Sequence, residues 1–187
     1  VPPGRGADVP RSFGKTPEMA ELFARLFDEA YPWDRYGQVL VWNFGAGGME
    51  NTSVTTLFDT AVLDAKGAMD NELEGLVSHE LAHQWFGDLV TCNSWEHIWL
   101  NEGFATYCTA LWLEHSRGRG EYEHDMIGNF DSVRGSDRAD ARRQPGMVSK
   151  VYDEPDDVFG RAANPYPKGA SILHMLRTAV GDELFYK

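Results

Sequence analysis

The sequence feature that most constrains the fold is the segment 77–85 (VSHELAHQW), which contains the pattern His-Glu-x-x-His. On an α-helix, residues four positions apart share one face and lie about 6 Å apart along the axis. Two imidazoles at this spacing can bind one zinc ion, and the glutamate between them can act on a water that the metal activates. The pattern therefore predicts a helix with His79 and His83 as metal ligands and Glu80 as the reactive acid.

A capping pattern and an apolar stripe flank these residues. Asn71 and Glu74 have the spacing of a capping box, in which both side chains satisfy backbone N–H groups of the first helical turn. Leu76 and Leu81 provide an apolar face. The helix is therefore predicted to open at Asn71 and to stop near Gly87, because glycine commonly ends helices.

A third metal ligand is predicted at Glu102. Eighteen residues separate it from His83, and it lies in segment 99–105 (WLNEGFA), near the predicted start of a helix that runs to about His115. A carboxylate near the start of a following, antiparallel helix can reach back to the metal, and two His with one Glu leave the fourth position of zinc open for water. Alternatively, Glu102 is only a first-turn acid that faces the helix dipole. Thr106, one turn later, is a candidate contributor to the surroundings of the metal.

The N-terminal part of the chain predicts one helix and a small β portion. Residues 1–16 are rich in proline, glycine and arginine, and we expect a loop or linker there. A helix should begin at Thr16, because Pro17 follows at a position that suits a first turn, and it should end by 31–33. Strands are expected over 38–44 and within 52–63, which are rich in β-forming residues.

The C-terminal half predicts helices separated by polar stretches. A weaker helical pattern covers about 122–133, a charged and solvated stretch follows at 134–146, and a last helix begins at Gly169. The fold class is therefore α+β and mostly helical.

The glycine-rich segment 45–51 (GAGGMEN) follows the first predicted strand. Such a loop could bind phosphate, but its spacing is not GxGxxG, no GK[ST] follows it, and Glu50 would repel a phosphate group. We infer instead that its glycines let the backbone approach an extended ligand closely.

Composition narrows the classes of partner. The chain is 42% hydrophobic, which is typical of a globular protein, and its net charge is −12. This charge argues against nucleic acid and membrane as partners and is compatible with cationic ligands such as peptides with a free amine, although solubility alone is a sufficient explanation for it. No apolar run approaches 18 residues, so we expect a soluble chain whose parent is either cytoplasmic or exported. Cys92 and Cys108 form no CxxC pair and are expected to be free thiols.

Four segments together resemble the gluzincin zinc metallo-aminopeptidases, the family of aminopeptidase N and leukotriene hydrolase. They are GGMEN at 47–51, HELAH at 79–83, NEG at 101–103 and YPKGA at 166–170. Their order matches the family over residues from about 31 to 187. One departure is Gly48, where the family more commonly has alanine.

The resemblance implies a thermolysin-like catalytic domain over 17–187, preceded by a linker remnant at 1–16. It further implies that the chain is cut from a larger parent, whose β-rich N-terminal and helical C-terminal domains are missing. The implied reaction is hydrolysis of the N-terminal residue of a peptide.

Roles for individual residues follow from the motifs and the resemblance. One Zn(II) per chain would be held by His79, His83 and Glu102, with Glu80 as general base. Tyr166 would donate a hydrogen bond to the developing oxyanion. Glu50 would pair with the free α-amine of the substrate. The substrate-binding residues would be Gly47, Gly48, Met49, Glu50 and Asn51.

Two other functions fit the motifs less well. A related gluzincin could be an endopeptidase or an epoxide hydrolase, and Glu50 discriminates, since an internal peptide bond offers no charge to pair with it. An inert relative could serve as an interaction scaffold, but it would be expected to lose ligands or base, and this chain keeps them all.

Overall fold

The computed structural model describes residues 1–139, 146–160 and 163–187. It divides into two compact units, Val1–Leu89 and Val90–Lys187. A three-stranded sheet and short helices form the first unit, and long helices dominate the second. The prediction of a mostly helical α+β fold is thus confirmed. Within the described ranges, every helix is too short or too polar to cross a bilayer.

Two helices open the first unit, where only one was predicted. Helix α1 (Val9–Phe13) follows a 3-10 turn at Gly6–Asp8, so the expectation of a loop over residues 1–16 was wrong. Pro10 lies in the first turn of α1, where a missing N–H costs nothing, and Phe13 is buried. Helix α2 (Thr16–Phe27) begins as predicted. It ends earlier than expected, because Asp28 adopts a left-handed conformation with φ of 51°.

The sheet is small and mixed. Strands β1 (Gly37–Val41), β2 (Gly48–Met49) and β3 (Val54–Phe58) have the order β1-β3-β2. The first pair is parallel and the second antiparallel, with Gly48 opposite Leu57 and Met49 opposite Thr56. The glycine-rich segment therefore contributes an edge strand, one side of which is open to a further strand.

The histidine-bearing helix starts later than the capping pattern predicted. Helix α3 (Gly67–Asp70) precedes it, and the Asn71 side chain donates a hydrogen bond to the Gly67 carbonyl at 3.2 Å. Asn71 therefore closes α3, and α4 (Glu74–Ala82) begins without a side-chain cap. Its apolar side chains are buried, among them Val77 and Leu81. The helix ends at Ala82, with His83 as its C-terminal cap, and therefore stops earlier than the expected position near Gly87.

Aromatic side chains anchor the segment that follows α4. Trp85 lies against Phe23 and Phe27 of α2, with ring centroids 6.2 and 5.6 Å apart. Its indole N–H donates to the Glu29 carbonyl at 3.1 Å. Phe86 meets Phe27 edge to face at 4.9 Å. These contacts fix the backbone immediately after His83.

The described residues of the second unit form four α-helices: α5 (Trp99–Arg117), α6 (Arg119–Ala139), α7 (Pro165–Val180) and α8 (Asp182–Phe185). Hydrogen bonds between polar side chains connect these helices. The buried Arg177 donates to Glu114 at 2.8 Å and to both oxygens of Asp182 at 2.8 and 2.9 Å. The Tyr122 hydroxyl lies 3.0 Å from that of Tyr107. Residues 140–145 of the predicted polar stretch lie outside the described residues.

Helices α5 and α7 touch through two glycines. A Cβ on Gly103 would lie 2.7 Å from the Gly169 Cα, and a Cβ on Gly169 would lie 2.6 Å from the Gly103 Cα. Any side chain at either position would separate the helices. Helix α7 begins at Pro165 rather than at Gly169, because the Asn164 side chain accepts the Tyr166 backbone N–H at 3.0 Å and caps the first turn.

Candidate active site

The two histidines of the first unit face each other. Their Nε2 atoms are 3.1 Å apart, and the ring centroids are 4.8 Å apart at an interplanar angle of 81°. His83 Nδ1 lies 2.9 Å from the Phe86 carbonyl, which can only accept a hydrogen bond. The neutral ring therefore carries its proton on Nδ1 and leaves the Nε2 lone pair for a ligand. Two imidazole nitrogens that converge in this way suit a metal ion.

Glu80 lies on α4 between the histidines and is 5% exposed. Its side chain is packed against β2, where a Cβ built on Gly48 would overlap its carboxylate and lie 2.7 Å from its Cγ. The glutamate is therefore held beside the edge strand and away from bulk water. A carboxylate in such a place can exchange a proton with a bound reactant.

Glu50 follows β2 and lies close to the imidazole pair. Its Oε1 is 3.9 Å from His83 Nδ1, which is too long for a hydrogen bond. The carboxylate side chain is 18% exposed, whereas His83 is 1% exposed. Glu50 therefore presents negative charge at the end of the open strand.

Gln84 ties this strand to the end of α4 and was missed in the sequence. It is fully buried, and its amide N–H donates to the Glu50 carbonyl at 3.1 Å. Its Oε1 accepts the Ser53 backbone N–H at 2.7 Å and the Tyr31 hydroxyl at 3.3 Å. A polar amide directly after the second histidine, in a segment otherwise expected to be buried, was the available signal.

Asp88 adds a second acid near Glu50, and it too was missed. Burial raises the pKa of Asp88 to about 6, although a hydrogen bond with Thr52 lowers it. The negative charge of Glu50 raises it further. Two acids at this place favour a cationic partner over an anionic one.

The other residues of the glycine-rich segment shape the strand. The Gly47 carbonyl accepts the Phe58 N–H at 3.2 Å, and Asn51 Oδ1 accepts the Thr56 hydroxyl at 2.8 Å. The first bond extends the pairing of β2 with β3, and the second fixes the turn between them. Met49 is 41% exposed, so its side chain is available to contact a ligand.

The second unit carries the other predicted residues. Glu102 is 6% exposed and lies in the first turn of α5, next to Asn101, whose side chain accepts the Cys92 N–H at 3.3 Å. Tyr166 is half-buried in the first turn of α7, and its ring lies 6.0 Å from that of Phe159. The Thr106 hydroxyl is buried and has no hydrogen-bond partner among the described residues. The acceptor that orients His83 is instead the Phe86 carbonyl.

A helix with His-Glu-x-x-His, converging imidazoles and an adjacent buried glutamate is typical of zinc-dependent peptidases. The model of the peptidase family M1 domain matches residues 11–187. The chain therefore belongs to peptidase family M1, as its motifs predicted.

Individual relatives agree with this family. The chain is 35% identical to aminopeptidase N of Streptomyces lividans over 96% of its own length and 21% of that protein. It is 36% identical to leucine aminopeptidase 2-1 of Meyerozyma guilliermondii over 84% of its length and 25% of that protein. The chain thus spans a fifth to a quarter of these two relatives.

Solved structures show the same fold. Yeast LTA4 hydrolase in complex with bestatin superposes with a TM-score of 0.82 at 27% identity, covering 98% of this chain and 30% of that one. An M1 zinc metallopeptidase from Deinococcus radiodurans gives a TM-score of 0.65 at 30% identity, covering 100% of this chain and 35% of that one.

Proposed function

We propose that the chain is the catalytic domain of a zinc-dependent aminopeptidase, which hydrolyses the N-terminal residue from peptides. The observation that carries this proposal is the pair of converging histidine nitrogens, of which His83 is buried, with Glu50 beside His83 at the end of an open strand. His79, His83 and Glu102 would hold one zinc ion, a donor set suited to this metal. The Deinococcus relative, described as a zinc metallopeptidase, supports the choice of metal.

Zinc, when bound, lowers the pKa of a coordinated water toward about 7 and polarises the scissile carbonyl. Glu80 takes the proton from the attacking water and delivers it to the nitrogen of the leaving amine. Its burial supports this role, because a carboxylate shielded from bulk water exchanges protons with the reactants rather than with solvent.

Tyr166 donates a hydrogen bond to the oxygen that becomes negatively charged when the carbonyl is attacked. Its backbone is held by the Asn164 cap and its ring is packed against Phe159, so few orientations are open to it. A donor that is already oriented costs little reorganisation during the reaction and is worth about 100- to 1,000-fold in rate.

Glu50 and β2 bind the start of the substrate. A peptide laid along the open edge of β2 pairs with its backbone, and Glu50 pairs with the free α-amine at the end. Gly47 and Gly48 let the two backbones approach, while Asn51 keeps the turn in place. The Met49 side chain contributes to the pocket for the first residue.

A second candidate is the hydrolysis of an epoxide, which the TM-score of 0.82 to yeast LTA4 hydrolase brings into consideration. Both reactions would use the same metal residues. An epoxide lacking an amine gives Glu50 no partner, however, and covering this partly buried carboxylate without a partner opposes binding. We therefore favour the aminopeptidase.

The experiment that tests the proposal is Glu80→Ala in the complete protein. We expect the variant to keep zinc, because Glu80 is not a ligand, and to lose hydrolysis of an amino-acid anilide by a factor of about 100 or more. Zinc is measured by elemental analysis and turnover by release of the aniline. Glu72→Ala, an exposed acid before the same helix, serves as the control and should retain full activity. Wild-type turnover in Glu80→Ala would contradict the proposed mechanism.

A further inference from the structure

Gln84 is a fully buried polar side chain that binds the backbone on both sides of the turn after β2. Its Nε2 donates to the Glu50 carbonyl at 3.1 Å, and its Oε1 accepts the Ser53 backbone N–H at 2.7 Å. These partners fix the orientation of the amide, because a carbonyl only accepts a hydrogen bond and an N–H only donates one. One side chain thus holds the first and the last residue of the segment 50–53.

The backbone of this turn is strained at Ser53, which has φ of 65°. Residues other than glycine rarely adopt this left-handed conformation, so it persists only where surrounding contacts enforce it. A backbone hydrogen bond from the Val54 N–H to the Asn51 carbonyl, at 2.9 Å, closes the turn. That bond uses neither the Glu50 carbonyl nor the Ser53 N–H, and Gln84 pairs both. The conformation that places Glu50 therefore depends on this amide.

The backbone that carries Gln84 is itself held on both sides. His83, one of the two converging histidines, precedes it, and Trp85 follows, with its ring centroid 5.6 Å from that of Phe27. Gln84 is thus fixed between a proposed metal ligand and an aromatic anchor. The position of Glu50 relative to the histidine pair is therefore set through a single side chain.

We propose that Gln84 is a positioning residue for substrate selectivity, which fixes Glu50 relative to the histidine pair and so makes the site prefer peptides with a free α-amine. This inference rests on the proposed function, in which Glu50 pairs with that amine. A charge-assisted hydrogen bond is short and directional, so it forms only if the carboxylate lies where the amine of the bound peptide ends. A peptide with a blocked amine forms no such bond, and its hydrolysis does not depend on Gln84.

The length of the side chain can be kept while its hydrogen bonds are removed. Methionine is unbranched and apolar, so Gln84→Met fills the site but pairs neither the Glu50 carbonyl nor the Ser53 N–H. We expect the turn to shift and to move Glu50 with it. A displacement of about 1 Å at a binding group can cost about 100-fold in rate. Because the pairing of β2 with β3 still holds one side of the turn, we expect a smaller loss, of about 10-fold.

The first experiment is Gln84→Met in the complete protein. We expect kcat/KM for a peptide with a free N-terminus to fall about 10-fold, with zinc content and hydrolysis of the same peptide with a blocked amine unchanged. Independently of activity, hydrogen exchange at the Ser53 amide should accelerate, because its acceptor is removed. Gln38→Met is the matched control, since Gln38 lies in β1, which β3 separates from β2. It should keep the wild-type preference.

Two results of this experiment would overturn the proposal. The first is a wild-type preference for the free amine in Gln84→Met. The second is an equal fall for free and blocked peptides, which is the result that a purely structural role of Gln84 predicts. If Gln84→Met does not fold, Gln84→Glu tests the same contact. Its carboxylate still accepts the Ser53 N–H but has no N–H for the Glu50 carbonyl, so it should lose the same preference.

The second experiment is a double-mutant cycle with Glu50→Ala. If Gln84 acts through Glu50, adding Gln84→Met to Glu50→Ala will cause no further loss for the free-amine peptide. Multiplicative losses would contradict the positioning role. The two hypotheses fail in different ways. An equal effect of Glu50→Ala on free and blocked peptides refutes the proposed function, whereas a selective effect of Glu50→Ala beside an unchanged Gln84→Met removes only this inference.

Discussion

At the scale of single residues, His83 and Glu50 are held in place by hydrogen bonds with neighbouring groups. The Phe86 carbonyl sets the tautomer of His83, and the Gln84 amide holds the backbone on which Glu50 sits. Neither was predicted, because a backbone carbonyl has no sequence signature and a lone glutamine has many possible partners. The residues predicted from motifs were those whose type the chemistry demands, namely the histidines and the acids.

Glu50 should decide whether the enzyme recognises a free amine. We expect Glu50→Ala to lower kcat/KM for a peptide with a free N-terminus by about 100-fold, in line with the loss of a charge-assisted hydrogen bond worth roughly 1.5–3 kcal/mol. Hydrolysis of the same peptide with a blocked amine should not fall. Rates for both peptides are followed by chromatography, and Glu50→Gln separates charge from size. An equal effect on free and blocked peptides would exclude the exopeptidase assignment.

At the scale of elements, two sequence motifs meet in one contact. The glycine after Glu102 and the glycine three residues after Tyr166 touch at the crossing of α5 and α7. Each motif therefore pairs a residue with a proposed role at the site with a glycine that lets its helix approach the other. Periodicity predicted both helices, but their crossing depends on the absence of two side chains at once.

Gly103→Ala should destabilise the second unit. Its methyl group would lie 2.7 and 3.0 Å from backbone atoms of Gly169, which cannot rotate away. We expect a loss of about 1–3 kcal/mol in the free energy of unfolding, the usual cost of overpacking, measured by urea titration. Gly128→Ala on α6 is the control. No atom lies within 4 Å of its Cβ, so it should gain up to about 1 kcal/mol from helix propensity. Similar stabilities for the two variants would contradict this explanation.

At the scale of the whole molecule, the sequence predicted the family, the fold class and most helices. It failed where a local pattern had two possible partners. Asn71 matched a capping box yet closes the preceding helix, and the proline-rich residues 1–16 resembled a linker yet contain α1. Which helix Asn71 caps depends on which backbone carbonyl lies nearby, and whether residues 1–16 form a helix depends on the hydrophobic core available to them. A short window of sequence does not contain that information.

The stability of the chain should depend on pH through Asp182. Two hydrogen bonds from Arg177 lower the pKa of Asp182 below its usual value of 3.8. A lowered pKa in the folded state means that the stabilisation is present above 3.8 and is lost as pH falls through the folded-state value. We therefore expect Asp182→Asn to cost about 0.5–1 kcal/mol at pH 7 and progressively less in acid. Chemical denaturation of the variant and the wild type, from pH 7 down into the acid range, measures this cost in stability. The control is the substitution of an exposed acid, Asp131→Asn. A cost that is constant with pH would contradict the assignment.

The edge strand β2 is two residues long, Gly48 and Met49. If a peptide binds along β2 as proposed, so short a strand would pair only with its leading residues and would impose no register on those that follow. We therefore expect the complete protein to shorten peptides of unrelated sequence and very different length, because it would recognise the N-terminus of a peptide and little of the sequence that follows.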